Sequence, residues 1–144
     1  MNKIRIAAIG CGRVAQHYKK ILDSGVVSNW MMVGFYDILS DRSEYFAQHF
    51  NTKSYASFES MLETAKPDLV LILTPSGLHY QHTKIAFDYG CNVLCEKPIA
   101  MIPSQAEELN KIAIKCASKE GKYIRPILIE PSLLPIKENL NPSI

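Results

Sequence analysis

The run Ile4-Arg5-Ile6-Ala7-Ala8-Ile9-Gly10-Cys11-Gly12-Arg13-Val14-Ala15 is where the architecture of this chain becomes readable. Its first half has the near-continuous apolar character of a strand buried on both faces. A glycine turn follows, and then residues 14–24 place Val14, Tyr18, Ile21 and Leu22 at helical spacing on one predicted face. Gly25 supplies the stop. A strand that feeds a helix through glycines is the opening of a strand–helix–strand unit.

The same alternation continues along the chain. Residues 31–36 read as a second strand ending at Asp37, and Ser40 is placed to cap a helix carrying Phe46, Ala47 and Phe50 on its apolar side. A short strand near 53–55 and a short helix near 58–65 come next. Pro67-Asp68 then opens the most apolar strand, 69–73. A loop at Thr74-Pro75-Ser76-Gly77 precedes a helix from His79 to Gly90, and 92–95 is a fifth strand. After Pro98, Ser104 and Glu107 predict a capping box for a helix whose buried stripe is Leu109, Ile112, Ala113 and Cys116, with Gly121 as its C-terminal cap. Strand and helix alternating in this way predict an α/β fold, a doubly wound parallel sheet of the Rossmann kind with helices on both faces.

Composition narrows the function classes. At 144 residues the chain is one domain in size, with 47% hydrophobic and 21% charged residues, as in a globular protein. Sixteen basic against fourteen acidic residues leave +2, too weak a field to argue for nucleic acid or a membrane surface. The longest apolar run is far too short to span a bilayer, and the first residues do not form a signal peptide, so the cytoplasm is expected. Cysteines stand at 11, 91, 95 and 116. On a strand, Cys91 and Cys95 would lie roughly 13 Å apart, too far to share a zinc ion. Reduced, mostly buried thiols and no metal are expected.

Ligands of such sheets bind beyond the carboxyl ends of the strands, so the loops there carry the argument. Gly10-Cys11-Gly12-Arg13-Val14-Ala15 is a G-x-G-x-x-A pattern. Gly10 permits the tight turn, Gly12 lets backbone approach a pyrophosphate, and Ala15 lets the helix pack closely. The helix N-terminus then favours phosphate. A simple tight turn would also use these glycines; the strand before and the helix after favour the dinucleotide. Asp37 can accept from both ribose hydroxyls of an adenosine and would repel a 2′-phosphate, which favours NAD over NADP. It also suits a solvated turn, and Arg42 nearby softens the preference. In the loop after the fourth strand, Thr74 and Ser76 offer hydroxyls and Pro75 stiffens the chain. His79 either orders the site or simply caps and packs. Glu96-Lys97-Pro98 follows the fifth strand directly, with Pro98 restricting Lys97 to an extended form. A lysine held there can donate to a substrate hydroxyl as it becomes a carbonyl.

Taken together, G-x-G-x-x-A at 10–15, Asp37, Thr74-Pro75 with His79, and Glu96-Lys97-Pro98 resemble the N-terminal half of the glucose–fructose oxidoreductase / inositol dehydrogenase family. The resemblance spans about residues 1–122. Thr-Pro-Ser-Gly-Leu-His at 74–79 is similar to the branch that oxidises the 3-hydroxyl of nucleotide-linked N-acetylated sugar acids for surface polysaccharide (lipopolysaccharide) synthesis. It implies that Lys97 is the catalytic lysine, with Gly10, Gly12, Arg13, Val14, Asp37, Thr74, Pro75, Ser76, His79 and Glu96 around the cofactor. The implied chemistry is hydride transfer from a sugar or nucleotide-sugar hydroxyl to NAD. Members of the family continue into a substrate domain, whereas residues 123–144 form an apolar, proline-rich tail that departs from the pattern. Ile127, Leu128, Ile129, Leu133, Leu134 and Ile136 of that tail are expected to dock on the open face or to be buried between two chains, which predicts a homo-oligomer. Three readings follow: an NAD-dependent sugar dehydrogenase or half of one, a non-catalytic NAD-binding module, and an α/β domain with a vestigial site. The isolated chain is expected to bind NAD and turn over poorly.

Overall fold

A computed structural model describes residues 2–120 and 127–128. Strand β1 (Ile4–Ile9) leads through the glycine turn into helix α1 (Arg13–Asp23) and strand β2 (Trp30–Tyr36). Helices α2 (Ser40–His49) and α3 (Phe58–Ala65) precede β3 (Leu69–Ile72). A 3-10 turn (Ser76–Leu78) runs straight into α4 (His79–Asp88), followed by β4 (Asn92–Cys95), α5 (Pro103–Glu120) and β5 (Ile127–Leu128). The strands are all parallel, in the order β2-β1-β3-β4-β5. The chain leaves β1 toward β2 on one side and returns as β3 on the other, so strand order reverses between β1 and β3.

Alternate residues of β1 point to opposite faces, as strand geometry demands. Ala7 and Ile9 join Val70, Ile72, Val93, Met61, Phe87 and Leu109 in one core beneath α3, α4 and α5. Ile6 and Ala8 join Leu71, Met32, Phe35, Ala15 and Phe46 in the other, beneath α1 and α2. Both faces of the sheet are covered, which is why its strands read as continuous apolar runs.

Several local expectations need correction. On α1 the buried residue is Ala15, with Tyr18 and Leu22 packed beside it, whereas Val14 and Ile21 are exposed. The stripe is rotated so that Val14 reaches the sheet's carboxyl edge. Ser40 lies inside α2, whose cap is Leu39; Asp37 satisfies the Leu39 N–H instead. The strand near 53–55 reduces to a single parallel bridge between Phe35 and Ser54. The capping box at Ser104 and Glu107 falls two residues too late, since α5 begins at Pro103 and the Ile102 carbonyl accepts from Gln105 and Ala106. Proline at the first helical position gives up no hydrogen bond there. Leu109 and Ala113 are buried on that helix as expected, with Ile112 and Cys116 packed against them. Gly121 and most of the apolar tail lie outside the described residues. Ile127 and Leu128 pair with Leu94 and Cys95, so this much of the tail is sheet edge. Cys11, Cys91 and Cys95 are free and buried, Cys116 free and half-buried.

Candidate functional site

Backbone bonds carry the ladder past the last strand residues and hold the exits side by side. Gly10 N–H donates to Tyr36 O at 2.9 Å, Leu73 N–H to Ile9 O at 2.9 Å, and Glu96 N–H to Ile72 O at 3.0 Å. The loops after β1, β2, β3 and β4 therefore surround one cavity of about 560 Å³ at the carboxyl edge. Gly10, Gly12, Arg13, Val14, Asp37, Thr74, Pro75, Ser76, His79, Glu96 and Lys97 all line it. The structure brings every residue nominated from the sequence to one place.

The two glycines of the turn answer to different neighbours. Gly10 has φ +89°, and a Cβ there would stand 2.6 Å from the Leu73 carbonyl carbon and 2.7 Å from Thr74 N. The protein itself forbids a side chain at that position. A Cβ on Gly12 would meet no protein atom within 4 Å. Its bare backbone instead faces open space at the head of α1, where N–H groups lack helical partners.

Asp37 is pinned between two elements. Its Oδ2 accepts from Cys11 N–H at 2.7 Å and its Oδ1 from Leu39 N–H at 2.8 Å. The carboxylate therefore has a fixed place at the end of β2, with one remaining lone-pair direction on each oxygen. Cys11 is a packing residue beneath it. Burial first, and Asp37 second, push its thiol up to about 12 against the opposing pull of Arg42, so it stays protonated. Among the described residues, the side chains of Arg13, Arg42 and Lys97 have no hydrogen bond or ion pair.

On the far side, His79 is buried and joins two loops. Its Nδ1 lies 2.7 Å from Pro98 O and its Nε2 2.6 Å from Thr74 O. Both neighbours are carbonyl acceptors, so the neutral ring donates to one of them, and the ring sits wedged between the two segments that flank the cavity. The Lys97-Pro98 bond is cis. Glu96 is held in turn by Tyr18 of α1, whose hydroxyl donates to Oε1 at 2.8 Å. Burial, then that carboxylate, keep the Tyr18 hydroxyl well above its ordinary range.

Sequence reasoning missed two contributors. Tyr18 was assigned only to the apolar stripe of α1, although a half-buried phenol needs a partner for its hydroxyl. His82 lines the cavity with its Nδ1 3.0 Å from Thr74 Oγ1. Its signal was available, because residues three apart on a helix share a face and His79 was already nominated.

The chain matches the family described as "Oxidoreductase family, NAD-binding Rossmann fold" over residues 4–123. It belongs to that family. Among curated relatives, D-glucoside 3-dehydrogenase of Escherichia coli K12 is 35% identical over 117 residues, covering 79% of this chain and 32% of the relative. Glucose-6-phosphate 3-dehydrogenase of Bacillus subtilis is 28% identical over 135 residues, covering 90% and 37%. The chain thus spans about a third of the length of the oxidoreductases it matches. Among solved structures, the WlbA dehydrogenase of Chromobacterium violaceum, in complex with NADH and UDP-GlcNAcA, superposes with a TM-score of 0.83 at 25% identity. That match covers 93% of this chain and 37% of that one. The family resemblance read from residues 10–15, 74–79 and 96–98 is thereby established, as is the Rossmann architecture. Among the described residues no helix is long and apolar enough to cross a membrane.

Proposed function

We propose that residues 1–122 bind NAD in the cavity at the carboxyl edge and that Lys97 serves oxidation of a sugar or nucleotide-sugar hydroxyl. The observation that carries this is the head of α1, where Gly12 leaves a space no protein atom needs, with unpaired Arg13 and Arg42 beside it. These groups fit a pyrophosphate, and the pinned Asp37 fits ribose hydroxyls better than a 2′-phosphate. Bound NAD would supply the hydride acceptor. Lys97 would donate to the hydroxyl oxygen as it takes on carbonyl character, and Glu96, braced by Tyr18, would keep its neighbour at the nicotinamide end. His79 holds the 74–79 and 96–98 segments at the spacing this needs.

The finer parts of the reading go with it: NAD rather than NADP, a nucleotide-linked sugar acid of surface polysaccharide synthesis as substrate, and a cytoplasmic homo-oligomer. Because the chain spans about a third of its relatives, the substrate walls and much of the orienting of reactants belong to length not matched here. The expected behaviour of residues 1–122 is dinucleotide binding.

Calorimetry with NAD tests the first part; a folded chain that binds none would end it. Lys97→Ala should leave NAD affinity intact and abolish whatever sugar oxidation the chain performs. Equal loss of affinity and turnover would contradict the role given to Lys97.

A further inference from the structure

Thr74 and His82 face the same cavity, with Thr74 Oγ1 3.0 Å from His82 Nδ1. A hydroxyl has one proton and two lone pairs, so its partner's state decides what it offers elsewhere. A neutral imidazole with its proton on Nε2 takes the Thr74 proton on Nδ1. Only oxygen lone pairs then remain for the cavity. A protonated imidazole donates from Nδ1, and the hydroxyl proton turns outward.

Resting on the dinucleotide reading above, we infer that His82 is a positioning residue that sets the hydrogen-bond polarity of Thr74. With the neutral ring carrying its proton on Nε2, the hydroxyl is at neutral pH an acceptor for a carboxamide N–H or ribose O–H of the nicotinamide half. In acid it reverses it. The backbone of Thr74 lies beside a second imidazole, its carbonyl 2.6 Å from His79 Nε2.

The surroundings keep the ring neutral at ordinary pH. His82 is half-buried, with its edge against Phe58 of α3 at 5.6 Å between centroids. Burial first, and His79 on its own helix second, lower its titration below the usual histidine value, while Glu59 of α3 pulls the other way. Glu96 and Lys97 line the same cavity from the end of β4.

The experiment follows NAD affinity of the full chain by calorimetry from about pH 7.5 down to about pH 5, spanning the histidine range. The titration of His82 is read by NMR in the same samples. Affinity should fall about five-fold, the worth of one neutral hydrogen bond, with a midpoint that coincides with His82. Thr74→Val should lose the step although His82 still titrates; Thr74→Ser should keep it; His82→Phe should lose it. Circular dichroism confirms that each variant is folded, and should Thr74→Val fail to fold, His82→Phe carries the test. A wild-type profile without the step, or a step that survives in Thr74→Val or His82→Phe, overturns the inference and leaves the dinucleotide reading standing. A folded wild-type chain that binds no NAD at any pH removes both.

Discussion

The two ends of the parallel sheet hold depressions of similar size, about 560 Å³ at the carboxyl edge and about 480 Å³ at the amino edge. They differ in what their polar groups are doing. At the amino edge Arg5 N–H donates to Asp68 Oδ2, and the Arg5 guanidinium reaches the carbonyls of Ala65 and Lys66. Asn92 donates to Asp68 O, and Asp68 N–H to Arg5 O. That end spends most of its donors and acceptors on itself, with the Lys66 amine the exception among the described residues lining the depression. At the carboxyl edge Arg13, Arg42 and Lys97 remain without side-chain partners among the described residues, around a backbone left bare at Gly12. Volume does not separate the two depressions; the greater unspent hydrogen-bonding capacity at the carboxyl edge does.

Substitutions at the two edges should therefore separate stability from binding. Gly10→Ala puts a methyl group into the Leu73 carbonyl at a backbone angle that resists side chains. It should cost about 3 kcal/mol, near 10 °C in thermal melting, and remove NAD binding as well. If melting is unchanged, the close approach of the β1 turn to the β3 exit is not what requires glycine. Replacing Arg13 and Arg42 together by alanine should weaken NAD at least about ten-fold while melting stays within about 2 °C. Asp68→Ala should do the reverse, costing about 1 kcal/mol in denaturant melts with unaltered NAD affinity. Smallest is Asp23 of α1, whose exposed carboxyl is held below the usual range chiefly by its hydrogen bond to His49 on α2, and further by Lys19. A lowered folded value means its contribution is present above the ordinary carboxylate range and fades as pH falls through the folded one. Asp23→Asn should slightly flatten the acid limb of stability and leave NAD binding untouched.

The residues that reach the cavity were legible because the rule placing ligands beyond strand ends needs only the order of elements. Buried strands announce themselves by composition, as 69–72 does, and the loops after them follow by counting. What could not be read was partner choice across the fold. Tyr18 meets Glu96 over 78 positions and His79 meets Pro98 over 19, and neither spacing is a local signal. Helix starts failed for a different reason. Ser40 and Ser104 are good caps by residue type, yet Asp37 and Pro103 fix the entry of their helices first. The stripe of α1 was misread because Val14 and Ile21 are apolar but sit at the edge of the packed face.

The Tyr18–Glu96 hydrogen bond makes α1 a strut between the two halves of the cavity. Its first residues stand where phosphates would press, and its second turn grips the carboxylate next to Lys97. Changes made at Arg13 and at Glu96 should on that account fail to add, although no side-chain contact joins them.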